Sequence, residues 1–239
     1  MPSGETSGYA SVVGGGASAP LLTQELDSVT IIGMGPTCSL FSADFMRDLI
    51  PMNERNPVWV INAAAKAFPH SLAWNVHDLN VLKEKEEKVP ALIDWYSNEY
   101  KRPVVTLRKV PGMNTLIYPI KPVVEYWQDD YFFAAPSYML AYAGMCGAKR
   151  FRLFGLDFDY PGRTEYEAGR CATEYWCGRV RTLGARFEVP EYTSLFDRHW
   201  RSTGGRIGYG APLYGYFDNQ PVITYDENGR MTVDGGDAS

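Results

Sequence analysis

Gly33, Gly35, Pro36 and Thr37, within the run Val29-Thr30-Ile31-Ile32-Gly33-Met34-Gly35-Pro36-Thr37, combine types and spacing suited to binding an anion. Two glycines at the end of a hydrophobic strand let the backbone turn sharply and approach a ligand, and a helix opening there offers unpaired N–H groups to a phosphate. The third glycine of a dinucleotide fingerprint is missing, and Pro36 has no N–H to give. The run therefore reads either as a phosphate-binding turn or as an ordinary strand-to-helix turn.

Gly155-Leu156-Asp157-Phe158-Asp159 ends a second hydrophobic run. Asp157 and Asp159 form a D-x-D that can hold a divalent cation, magnesium for instance, against a diphosphate; a ribose or loop contact is the alternative. Asn62, directly after Val58-Trp59-Val60-Ile61, carries an amide that can read a base or ribose or cap the next helix. His77 stands beside Asp78 at the end of another apolar stretch, where an imidazole can act as acid or base or make a structural hydrogen bond. Arg163 and Arg170 flank a segment read as a small lid, with guanidinium forks suited to a phosphate leaving group; solvated arginines are the alternative. The cysteines, Cys38, Cys146, Cys171 and Cys177, have no CxxC pair and no cysteine-histidine spacing that suits zinc, so reduced core thiols are expected and no metal site is assigned. Cys38 falls at a helix start, where a thiolate is favoured.

Strands and helices must alternate to bring these residues together. Leu40, Phe41, Phe45, Leu49 and Ile50 recur at helical spacing after the first strand, and Val58 to Asn62 reads as a second, buried strand. Further strands are expected at Leu72–Val76, Pro103–Leu107, Phe151–Asp157 and Arg186–Val189, with helices over Pro90–Tyr100, Ser137–Gly147 and Ala168–Leu183. Gly184 stands where a helix C-cap glycine belongs. The proline-rich, aromatic stretch from Val110 to Asp130 shows no clear period. Asn228-Gly229 between two alternating runs signals a C-terminal hairpin. The pattern predicts an α/β, Rossmann-like open sheet, mostly parallel, with helices on both faces, a small lid and that hairpin. Residues 1–20 are rich in glycine and serine and read as a flexible tail, 21–200 as a nucleotide-binding α/β domain, and 201–239 as a Gly/Tyr-rich extension.

The chain has 239 residues, 45% of them hydrophobic and 21% charged, enough to bury a substantial core. A formal charge of −5 argues against coating nucleic acid or an anionic membrane. No apolar run is long enough to span a bilayer and no signal segment opens the chain, so a cytoplasmic protein is expected. Tyr126, Trp127, Tyr131, Phe132 and Phe133 form one aromatic group and Tyr209, Tyr214, Tyr216 and Phe217 another; such faces stack on sugars or bases, or form a homo-oligomer interface.

The Ile31–Thr37 turn, Asn62, and Tyr138 to Gly147 running into Phe151–Phe158 resemble the bacterial sialyltransferases of glycosyltransferase family 42. They also resemble the related proteins grouped with archaeal hydroxymethylpterin pyrophosphokinases. The likeness covers roughly Ser28 to Phe196. It implies that Gly33, Gly35, Pro36, Thr37, Asn62, Gly155 and Asp157 bind a nucleotide-activated donor. The family's serine-glycine step falls on Ala135-Pro136, with Ser137 displaced by two positions, and its general-base histidine falls near Glu167. A glutamate, ordinarily ionised at neutral pH, can accept a hydroxyl proton; an exposed first-turn residue is the alternative. Three functions follow as expectations: a glycosyltransferase-type transferase acting on an acceptor hydroxyl, a magnesium-dependent pyrophosphokinase-like enzyme, or a non-catalytic nucleotide-binding or assembly protein on the same fold.

Overall fold

The computed structural model describes residues 25–46, 50, 52–77, 88–100, 102–158, 164–190, 193–197, 222–225 and 231–234. Seven strands, β1 (Ser28–Ile32), β2 (Val58–Ile61), β3 (Leu72–Trp74), β4 (Val104–Thr106), β5 (Thr115–Ile117), β6 (Arg150–Phe154) and β7 (Arg186–Glu188), form one sheet in the order β5-β4-β3-β2-β1-β6-β7. Every neighbouring pair in it is parallel. The helices are α1 (Cys38–Met46), α2 (Lys88–Asn98), α3 (Ile120–Trp127), α4 (Ala135–Met145) and α5 (Thr164–Arg181), and a 3-10 turn (Asn62–Lys66) follows β2.

Strand periodicity divides the core into two layers. Val29 and Ile31 of β1, Trp59 and Ile61 of β2, Trp74 of β3 and Phe151 and Leu153 of β6 pack with residues of α3, α4 and α5. Ile32, Val58, Val60, Ala73, Val104 and Phe154 pack on the opposite face with Phe41 of α1, Ala64 and Ala65 of the 3-10 turn, and Tyr96 of α2. Both faces of β1 and β2 are buried; β2 reads as a continuous apolar run for that reason, while β1 interleaves Ser28 and Thr30 with Val29 and Ile31. Helix α4 is buried nearly all round, and its small residues allow that: an added Cβ at Gly144 would lie 2.8 Å from the Trp127 ring and 3.0 Å from Val180.

The expected fold class is therefore observed, with a sheet that is wholly rather than mostly parallel. Gly184 adopts φ +83 and its N–H donates to the Arg181 carbonyl, stopping α5 as a C-cap glycine does. The stretch without a clear period holds the three-residue edge strand β5 and the eight-residue α3, both too short to display one. Strands β8 (Val222–Tyr225) and β9 (Met231–Asp234) pair antiparallel from Val222 opposite Asp234 to Tyr225 opposite Met231, the expected hairpin. The tail at 1–20, Asp78, Asp159, Arg163, Asn228-Gly229 and the Tyr209–Phe217 aromatic group lie outside the described residues, whereas the segment from Thr164 to Arg170, read as part of a lid, is the start of α5. Among the described residues no helix is long and apolar enough to cross a membrane.

Candidate functional site

The chain builds β1 to β5 outward in one direction and then returns to lay β6 and β7 on the other side of β1. The reversal between β1 and β6 is a topological switch point, and in open α/β sheets ligands bind beyond the carboxyl ends of the strands at such a point. Gly33–Thr37 leaves β1 there and Gly155–Asp157 leaves β6 there.

The two loops are in direct contact. Gly33 N–H donates to the Phe154 carbonyl at 2.8 Å and Gly35 N–H to the Gly155 carbonyl at 2.9 Å. A Cβ at Gly33 would lie 2.3 Å from the Gly155 oxygen, and one at Gly35 would lie 2.3 Å from Asp157 Oδ2. Both glycines are thus required by the approach of a neighbouring loop, and Gly155 in addition has φ +64. Thr37 donates to Asp157 twice, from its N–H to Oδ2 at 2.9 Å and from its hydroxyl to Oδ1 at 2.7 Å. Its Oγ1 also accepts the Gly155 N–H at 3.0 Å. Thr37 is 7% exposed and Asp157 3%. Asp157 is therefore an internal anion seated against the residue that opens α1, and each of its oxygens keeps one lone-pair direction for a further donor. Pro36 is exposed at the rim of this turn.

Cys38, the first residue of α1, is not the activated thiolate its position suggests. Burial raises the thiol pKa, and the nearby Asp157 charge raises it further, outweighing the backbone N–H groups that pull it down. Cys146 and Cys177 are buried as expected, whereas Cys171 is exposed.

The carboxyl edge continues across β2 and β3. Ile32 lies opposite Val60, Val60 opposite Ala73, and Ile61 opposite Trp74, so Asn62 and Asn75 occupy corresponding positions just past the ends of neighbouring strands. Asn62 has φ 51 and its carbonyl accepts the Tyr96 hydroxyl at 2.6 Å, while its buried Oδ1 has no partner. Asn75 is fully buried, and neither its Oδ1 nor its Nδ2 has a partner; only its backbone N–H is used, donating to the Val105 carbonyl. Buried amides are almost always hydrogen-bonded, and each unsatisfied group costs about 1–3 kcal/mol. Such a group at the carboxyl edge of a parallel sheet is a candidate partner for a ligand's polar edge. From β6 to β3 the edge spans three strand spacings, about 14 Å.

Asn75 is a candidate site residue that sequence reasoning passed over, because it reads as one more residue of the Leu72–Val76 run. A polar amide among apolar neighbours was the available signal. Ser194 was likewise passed over: it is 8% exposed with an unpartnered Oγ, beside Thr193, whose hydroxyl donates to the Leu156 carbonyl at 3.5 Å.

The remaining candidates sit at varying remove. Ser137 is buried in the first turn of α4, where its Oγ donates to the Ala134 carbonyl at 2.6 Å and accepts the Phe133 N–H. That turn meets α5 next to the site, since an added Cβ at Gly169 would lie 3.0 Å from the Phe158 ring and 3.3 Å from Ala134 Cβ. Glu167 is exposed two residues before Gly169, and residues two apart on a helix point to nearly opposite sides, so its carboxylate faces away from Phe158. Arg170 is partly buried on the same helix, and His77 is exposed two residues beyond Asn75. Trp127 and Phe132 pack inward, Phe132 stacking on Trp176 at 4.9 Å, while Tyr126, Tyr131 and Phe133 are exposed. Among the described residues no group of three or more metal-ligating side chains could hold a metal ion. No family model matches the chain, and no curated protein sequence matches it.

Proposed function

We propose that the carboxyl edge of the sheet, from the β1–β6 crossing to the ends of β2 and β3, binds a nucleotide-activated donor, and that the chain passes the activated group to an acceptor hydroxyl. A nucleotide sugar is the donor class that the sialyltransferase resemblance favours. The observation that carries the proposal is Asn75, whose buried amide offers a donor and an acceptor with no protein group to meet them. Asn62, in the corresponding position on the next strand, adds a second acceptor. Pinned together by Thr37 and Asp157, the glycine loops form the rigid floor that positioning a diphosphate requires. His77, close to Asn75 in the chain, is the candidate for the base; Glu167, the position the resemblance points to, is exposed and turned away from Phe158.

Isothermal titration against CMP-, UDP- and GDP-sugars tests the proposal. One of them binds, and Asn75→Leu weakens it by tenfold or more; silence across the panel, or binding indifferent to Asn75→Leu, refutes it. A bound donor with no transfer to any acceptor hydroxyl would favour the assembly-protein alternative. Triphosphate binding that needs magnesium would favour pyrophosphoryl transfer, in which Asp157 would reach the cation only through the lone pairs that Thr37 leaves free. The exposed aromatic residues Tyr126, Tyr131 and Phe133 are the surface on which a homo-oligomer would form.

A further inference from the structure

At the opposite, amino-terminal edge, Ser28 of β1, Arg150 of β6 and Arg186 of β7 stand in one register row, and Thr30, Arg152 and Glu188 in another, two residues further along. The residues between the rows, Val29, Phe151 and Phe187, pack into the layer beneath α4 and α5. Strand alternation therefore turns both polar rows to the α1 face, where the apolar layer takes in only Ile32 and Phe154 from these strands. This corner of the sheet is polar where a sandwiched sheet is ordinarily apolar.

Ser28, Arg150, Arg152 and Arg186, together with Asp27, Asn56, Lys149 and Gly184, line a bowl of ≈ 390 Å³. Four of these residues are cations, in a chain whose formal charge is −5. The one carboxylate in the lining, Asp27, is held at 2.6 Å by Arg55. Glu188 is shared between two guanidiniums, at 3.2 Å from Arg150 Nε and 3.0 Å from Arg152 Nε. Arg152 is 8% exposed and its buried Nη1 has no partner. Lys149 donates to the Leu183 carbonyl at 2.8 Å, which anchors the ammonium without neutralising it. Positive charge in the bowl thus exceeds the carboxylates that face it, and a guanidinium that is always ionised lies nine-tenths buried with one arm unused.

We propose that this bowl is a second binding site, distinct from the donor edge, for a small anion carrying a di- or triphosphate group. Phosphoryl oxygens match the planar forks of Arg150, Arg152 and Arg186, while Ser28 and Asn56, hydrogen-bonded to each other at 2.6 Å, add a neutral polar part of the lining. In the free protein, the half-exposed carboxylate of Glu188 partly occupies the forks of Arg150 and Arg152. Four residue steps along β6 separate Arg150 from Phe154, about 13 Å, so the two sites lie at opposite ends of the same strands.

Titration calorimetry with inorganic pyrophosphate on the full chain tests this. Wild type binds at low ionic strength, and rising salt weakens it. Arg150→Ser with Arg186→Ser raises Kd at least tenfold, whereas Asn75→Leu, at the donor edge, leaves it unchanged. Glu188→Gln removes the competing carboxylate and tightens binding severalfold, a gain that a damaged fold would not give. Absence of binding by wild type, an unchanged Kd in the double arginine variant, loss of binding in Asn75→Leu, or binding unchanged or weaker in Glu188→Gln would each overturn the assignment.

Discussion

Replacing Thr37 by valine removes a single hydroxyl while keeping the volume and β-branching of the side chain, and it cuts the tie between the loops that leave β1 and β6. The hydroxyl donates to Asp157 Oδ1 at 2.7 Å and accepts the Gly155 N–H at 3.0 Å, so the variant strands one buried carboxylate oxygen and one buried amide. Both residues are almost fully enclosed, at 7% and 3% exposure for Thr37 and Asp157, so water cannot readily take over. At about 1–3 kcal/mol for each unsatisfied group, and more where it is charged, the loss is about 2–5 kcal/mol. That is a large part of the roughly 5–15 kcal/mol that keeps a domain folded. For a chain of this size it lowers Tm by roughly 4–20 °C. Urea unfolding followed by circular dichroism should show a lower midpoint at constant m. Thr37→Ser keeps the hydroxyl and forfeits one methyl, about 1 kcal/mol. A double-mutant cycle with Asp157→Asn should return a coupling of about 1–3 kcal/mol. If Thr37→Val is within 0.5 kcal/mol of wild type by the usual tolerance of surface changes, or if valine and serine cost the same, the loops are not held as described.

Three further outcomes follow from buried polar groups. Asn75→Leu should stabilise the free protein by about 1–3 kcal/mol, read as a higher urea midpoint, because it removes two unsatisfied atoms from a fully buried site; destabilisation would mean that the amide has a partner in solution. His70 is buried, with Nδ1–H donating to the Phe68 carbonyl and Nε2 accepting the Tyr100 hydroxyl, and burial holds its pKa below the ordinary imidazole value. The unfolded chain therefore binds a proton first as pH falls below about 6.5, and stability should decline from there toward the lower folded value; His70→Gln should flatten that slope. Cys38 should react with iodoacetamide more slowly than the exposed Cys171, and Asp157→Asn should speed it by removing a like charge; equal rates at Cys38 in both proteins would deny the electrostatic contribution.

Most of the fold was legible because buried parallel strands and amphipathic helices leave strong local signatures. Val58–Ile61 and the long helix before Gly184 could be placed from spacing alone. Short elements were not: β5 and α3 together span too few turns for a period, and α3 carries Pro122 within its first turn. Within the site, the glycine turn and Asp157 were visible as motifs. Their relation was not, since no local pattern reveals that residues 37 and 157, 120 positions apart, share a carboxylate.

What the sequence determined by itself was therefore the alternation of strand and helix, the apolar segments that fill the core, and the positions where glycine lets the backbone turn. Those are properties of nearest neighbours along the chain, governed by dihedral preference and hydrophobic period. Tertiary structure alone decided the meaning of the polar residues: whether an aspartate meets a ligand or a threonine, whether an asparagine amide is satisfied, and which arginines share one glutamate. Hydrogen bonds and charges act through space over a few ångströms, and only the lateral pairing of β1 with β6, of β6 with β7 and of β3 with its neighbours brings those distant stretches of chain within that range.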